Sequence, residues 1–264
     1  MIIKSQLKFR RNIIMENPEQ KLVNNQKEVE LPESHLSKWD EQILVLEKKV
    51  LEDIGMMDMF FEQDVITANA NDPESYKAMT TTLNKLWSTA GDVKRRGDME
   101  EDFNYLQPIP AILLKQGDKF FTYTRLSGSG ETRLHNKTSL TVGGHMNLET
   151  EEYWNFEHLL ALGACRELEE EVFILDETGN EIENHYELAK KSQILGLGYT
   201  DKTDVDKVHL AIYMAIEIPR NYQVLVKETD SLKGDFKTLE EARTYDLENW
   251  SKMIADVIEV NGNE

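Results

Sequence analysis

The stretch "SLTVGGHMNLETEEYWNFEHLLALGACRELEEEV", residues 139–172, constrains the fold more than any other part of the chain. Its opening reads as a β-strand that ends on Gly143 and Gly144. Phe156, Leu159, Leu160 and Leu168 then recur at roughly helical spacing, which predicts a helix over 156–172. The order is therefore strand, paired-glycine loop, acidic helix. Glycines at a strand end let backbone carbonyls and amides approach a ligand more closely than residues with side chains allow.

Within that helix Glu167, Glu170 and Glu171 are related by i, i+3 and i+4, so their carboxylates project from one face and repel. Glu169 points elsewhere. Arg166 reaches Glu170 one turn on, but such a bond contributes only about 0.3–0.5 kcal/mol when exposed, too little to explain the cluster. Taken alone, E-x-x-E-E is a solvated face in a chain with 49 acidic residues. Set opposite a glycine turn, it is a site for hard cations.

"GGH" followed by "RELEEEV" resembles the Nudix box, a glycine-led loop and then a helix carrying R-E-apolar-x-E-E. The resemblance extends weakly over about residues 40–255, through "KRRGDMEEDFNYLQPIPAILL", "VHLAIYM" and "LENWS", which look like segments of a bacterial Nudix subgroup described as phosphoesterases. It implies an α/β fold with a mixed sheet between helices. The implied activity is pyrophosphohydrolysis of a nucleoside triphosphate or nucleoside diphosphate conjugate to a nucleoside monophosphate, with Mg²⁺ or Mn²⁺ as cofactor. By position, Glu167, Glu170 and Glu171 would ligate metal, Gly143 would supply a carbonyl, and Arg166 would orient the carboxylates. Gly144 and His145 would line the substrate site, His145 either bonding a phosphate or supporting the turn. Glu228 in "VLVKETD" and Glu248 in "LENWS" are candidates for the general base.

The sequence departs from the family pattern in its loop. Gly144 precedes Arg166 by 22 residues, more than is usual, which makes "HMNLETEEYWN" an insertion. By strict spacing the family's first glycine falls on Glu152, its earlier glutamate on His158 with Glu157 adjacent, and the glycine after the glutamate pair on Phe173. Tyr153, Trp154 and Phe156 either stack on a base or pack into the core. His209 reads as a satisfied core or rim histidine, and Cys165 as a small buried filler.

Three regions follow from the texture of the chain. Residues 1–36 read as a flexible arm and linker, basic at first and punctuated by Pro18 and Pro32, with Met15 as an alternative start. Residues 37–106 read as a mostly helical extension, with Asp72 as N-cap ahead of Pro73. Residues 107–264 carry the β-rich runs: "AILLKQGDKFFTYTRL" around a Gly117-Asp118 turn, "SQILGLGY", "KVHLAIYMAIEIP" and "YQVLVKE". A capping box at Thr238 and Glu241 and a last helix in "DLENWSKMIADVIEV" close the chain.

Composition sets the remaining bounds. A formal charge of −19 argues against a broad nucleic-acid or anionic-membrane surface, because those partners are held by Lys and Arg. A small anionic nucleotide would need cations as intermediaries. No apolar run is long enough to span a membrane. A single cysteine excludes an intramolecular disulfide and a multi-cysteine zinc site, as expected of a cytoplasmic protein. "ILVLEKKVL" and "MMDMFF" offer more apolar surface than one small helical layer buries, which predicts a homodimer. Two rival functions share the fold class: a ligand-sensing regulator without catalysis, against which the complete glutamate set argues, and a Nudix-fold isomerase.

Overall fold

The computed structural model describes residues 37–68, 72–126, 135–147 and 155–262. The arm expected over 1–36, and Tyr153 and Trp154 of the inserted loop, lie outside them. In chain order the elements are β1 (Gln42–Glu47), α1 (Lys48–Asp53), α2 (Met56–Glu62), β2 (Val65–Thr67), α3 (Pro73–Ala90), β3 (Gly91–Arg95), α4 (Arg96–Met99), β4 (Tyr105–Gln116), β5 (Lys119–Arg125), β6 (Thr138–Ser139), α5 (Phe156–Glu171), β7 (Val172–Leu175), α6 (Tyr186–Ala189), β8 (Gln193–Gly198), β9 (His209–Glu217), β10 (Gln223–Val226), β11 (Leu232–Thr238), α7 (Leu239–Ala242) and α8 (Asn249–Gly262).

The main sheet runs β11-β5-β4-β9-β8-β2, with β6 on β5 and with β1 paired to both β3 and β4. It is mixed, because β4 and β9 are parallel over Gln107↔His209 to Lys115↔Glu217 while their neighbours are antiparallel. β10 and β7 form a separate antiparallel pair. Both faces of the central strands are covered. On β4, Ile112 and Leu114 join the core under α3 and α5, whereas Ala111 and Leu113 join the one under α8. β9 alternates in the same way, with Ile212 and Met214 on one side and Ala211 and Tyr213 on the other. Two-sided burial of a period-two strand is what produces its continuous apolar run. The expected mixed sheet between helices is present.

The boundary expected at 106 is corrected by the pairing. The helices foreseen over 37–106 exist, but β1, β2 and β3 lie in the same range, and all three belong to the main sheet. "ILVL" is a strand interior rather than a helical surface: Ile43 to Leu46 are all buried, because β1 is flanked by β3 on one side and by β4 and Met146 on the other. Buried on both faces, it shows no period-two alternation, which hid it.

β4 also begins before its prolines rather than after them. Ile112 N–H donates to the Val142 carbonyl at 2.8 Å, and Pro108 and Pro110 lie in phase with Ile112, so their missing N–H groups face the same side. That side of β4 is free of a ladder between Leu106, which pairs with β1, and Ile112. The prolines stand where no donor is needed, and the Gly143-Gly144 loop approaches there.

Candidate metal and phosphate site

The paired-glycine loop is held by what lies beneath it. A Cβ on Gly143 would collide with the Pro110 carbonyl, and one on Gly144 with the Glu167 carboxylate. The Gly143 collision is with backbone, so glycine is required there, whereas a side chain at Gly144 would have to displace the buried Glu167 carboxyl from Arg166. The loop thereby rests directly on strand β4 and on helix α5.

Helix α5 is pinned at both ends. The Asn155 side chain caps it by accepting from the His158 N–H at 2.8 Å, and the Phe156 N–H donates to Asn84 Oδ1 of α3 at 2.6 Å. The cap is the last residue of the inserted loop, so the helix begins where the insertion ends. At its C-terminus the Glu171 carbonyl accepts from Lys227 N–H at 2.9 Å, and the Lys227 ammonium donates to the Glu169 carbonyl. These donors replace the C-terminal glycine. Phe173, at that position, lies in strand β7, and the Lys227 ammonium stands 4.7 Å from its ring centre.

Arg166 pairs with two of the helix glutamates. One guanidinium nitrogen meets Glu170 Oε1 at 3.0 Å; the other meets Glu167 Oε1 at 2.7 Å and donates to the His145 carbonyl. Glu167 is only 4% exposed. Burial raises its pKa to about 7, outweighing the attraction of Arg166, and Glu170 and Glu171 push it further in the same direction. Glu171 is raised as well, by burial first and then by Glu228, with Arg125 and Lys38 opposing. Glu228 is thus close enough to Glu171 to repel it electrostatically. It is exposed and accepts from Ser231 Oγ at 2.9 Å. Glu248, the other candidate, is bound to Arg125 at 3.1 Å.

The three helix glutamates are not drawn into one tight cluster. Among the described residues, the one group of three metal-ligating side chains whose donor atoms all lie within 4.8 Å of one another is Glu100, His145 and His209. The physical reason is charge: Glu170 is turned onto Arg166, Glu167 is lodged beneath Gly144, and like carboxylates separate. Glu100, Arg96, Arg125 and the placement of His209 were all invisible to sequence reasoning. Glu100 follows α4, His145 follows the glycines and His209 opens β9, so only the pairing of β4 with β9 brings them together.

Protein YmaB of Bacillus subtilis (strain 168) is 41% identical to this chain over 169 residues, which cover 62% of the chain and 77% of YmaB. The chain belongs to the YmaB family. No protein-family model matches it. The crystal structure of Tm1382, a Nudix hydrolase candidate, is similar to this YmaB-family chain with a TM-score of 0.59 at 24% identity, covering 83% of the chain and 98% of Tm1382. The fold is thus the Nudix fold, as the box resemblance implied. Among the described residues no helix is long and apolar enough to cross a membrane.

Proposed function

We propose that this YmaB-family protein is a divalent-metal-dependent pyrophosphohydrolase of small nucleotides, cleaving the diphosphate of a nucleoside triphosphate or a nucleoside diphosphate conjugate. One observation carries the reading: the carboxyl of Glu167 is lodged under Gly144 at the head of a helix face that also bears Glu170 and Glu171. A buried carboxyl with two acidic neighbours is costly unless cations compensate it.

The donor set is all oxygen, from Glu167, Glu170, Glu171 and the Gly143 carbonyl, which fits Mg²⁺ or Mn²⁺. Such an ion, when bound, screens phosphate charge and acidifies a coordinated water. The chain's own groups do the rest. Arg166 holds Glu167 and Glu170 in place and ties them to the glycine loop through the His145 carbonyl. Arg125, fixed by Glu248 and by Tyr123 Oη at 3.4 Å, presents a cation beside Glu171 for a substrate phosphate. We assign Glu228 as the base, because it acts electrostatically on Glu171 yet is exposed to solvent, while Glu248 is engaged with Arg125 and positions it.

The test is Glu170→Gln and Glu171→Gln, assayed on a panel of nucleoside triphosphates and diphosphate conjugates with Mg²⁺. Turnover should fall by about 10²-fold or more in each, with far-UV circular dichroism unchanged. Unchanged turnover in both variants would defeat the assignment.

A further inference from the structure

We infer that Glu100, His145 and His209 form a second metal site, chemically distinct from the glutamate helix and selective for an imidazole-preferring divalent ion of the Zn²⁺ class. It does not rest on the hydrolase reading. None of its three ligating side chains belongs to the glutamate set.

The geometry is that of a ligand set. The two Nε2 atoms of His145 and His209 face each other at 3.3 Å. Two nitrogens bound at about 2.0–2.1 Å in a tetrahedral arrangement stand about 3.3 Å apart. Glu100 Oε1 lies 3.9 Å from His145 Nε2, and all three donor atoms fall within 4.8 Å. A small rotation of the Glu100 side chain completes a two-histidine, one-carboxylate set with a fourth position open to water or an anionic oxygen.

The surrounding contacts prepare one ligand for the role. His209 Nδ1 is 2.7 Å from the Val205 carbonyl. A carbonyl only accepts, so the His209 proton is on Nδ1 and its Nε2 lone pair points at His145. A backbone carbonyl on the far nitrogen is the arrangement that fixes the tautomer and aim of a ligating histidine. His209 is held further by the edge of the Trp250 ring, with centroids 6.1 Å apart. In the metal-free pair His145 donates its Nε2 proton to His209. Metal binding requires that proton to pass to His145 Nδ1, and no other proton need leave.

The charges around the cluster are mixed and close to balanced. Arg96 approaches Glu100 at 3.5 Å, but Glu41 also pairs with it at 3.2 Å. Arg166 beside His145 adds to the positive charge and Asp206 beside His209 to the negative, so Glu41, Glu100 and Asp206 oppose Arg96 and Arg166 around the site. The donor types decide selectivity: two imidazoles favour Zn²⁺, Co²⁺ or Ni²⁺ over Mg²⁺, whereas the oxygen-only helix favours the reverse. A metal here would join the segment after α4, the glycine loop and the start of β9 into one rigid corner. His145, whose carbonyl receives Arg166, would transmit that rigidity to the glutamate helix.

The experiment is titration of the chelator-stripped full chain with ZnCl₂ by calorimetry, with Co²⁺ absorption as a second readout. The wild type should bind one Zn²⁺ per chain with sub-micromolar affinity, and Co²⁺ should give the visible bands of imidazole-bound, low-coordinate cobalt. His209→Asn keeps a donor for Val205 but removes the ligating nitrogen. Glu100→Gln alters a part-exposed side chain and spares the core should the histidine variant misfold. Each should weaken Zn²⁺ by at least about tenfold, and Glu170→Gln should leave it unchanged. Absence of stoichiometric Zn²⁺ binding by the wild type overturns the inference, as does an affinity that falls in Glu170→Gln but not in Glu100→Gln.

Discussion

At the scale of single residues, Glu167 is a buried carboxyl at the end of an acidic helix face. Folding raises its pKa from 4.5 to about 7 through burial. The sign follows: the folded state holds this proton more tightly than the unfolded one, so the stabilising contribution is present below pH 4.5 and is lost as pH rises through about 7. In metal-free buffer above that pH, Glu167→Gln should therefore be the more stable protein, by on the order of 1–3 kcal/mol, and the difference should vanish near pH 4. Urea midpoints at the two pH values measure it; a variant less stable than wild type at pH 8 in EDTA would contradict the account. That a glycine turn stands against the acidic helix was legible in the sequence; that Gly144 itself rests on this carboxyl was not, because it depends on how closely the loop packs on the helix. The His145–His209 contact was not, because 64 residues separate the partners and neither sits in a recognisable spacing.

At the scale of elements, helix α5 was readable because its apolar positions keep a helical period and it carries an asparagine cap. Leu168, which follows Glu167 in the last turns of the helix, is fully buried. Leu168→Ala should cost about 2–5 kcal/mol and, by letting the last turn shift, should lower turnover as well. The denaturation midpoint and the rate of the same preparation check both effects; full stability in this variant would mean that the turn is not packed as described. The hairpin of β4 and β5 was equally legible from Gly117, which has φ +65°. β1, β3 and the early start of β4 were not. A strand buried on both faces loses its alternation, and a proline in a strand misleads unless the strand's free side is known. Those facts belong to tertiary pairing rather than to any local window.

At the scale of the molecule, a formal charge of −19 surrounds the acidic helix face, so the anionic substrates proposed above would have to be met by cations. Much of the apolar surface that suggested self-association is buried in the sheet. Ile54, Met59 and Phe61 of the α1–α2 region stay exposed, Phe61 at 63%. We propose that they form a homodimer contact: light scattering should give a mass above the 30.6 kDa of one chain at high concentration, and Phe61→Ser should return it to the monomer value. A concentration-independent monomer in the wild type would remove that contact. The proposed reaction breaks a P–O–P bridge. Hydrolysis in ¹⁸O water with Mg²⁺, followed by mass spectrometry, should yield a nucleoside monophosphate, with label on a phosphate that flanked the P–O–P bridge, and excess EDTA should abolish turnover. Release of inorganic phosphate alone from simple monophosphate esters, or turnover undiminished in EDTA, would contradict it.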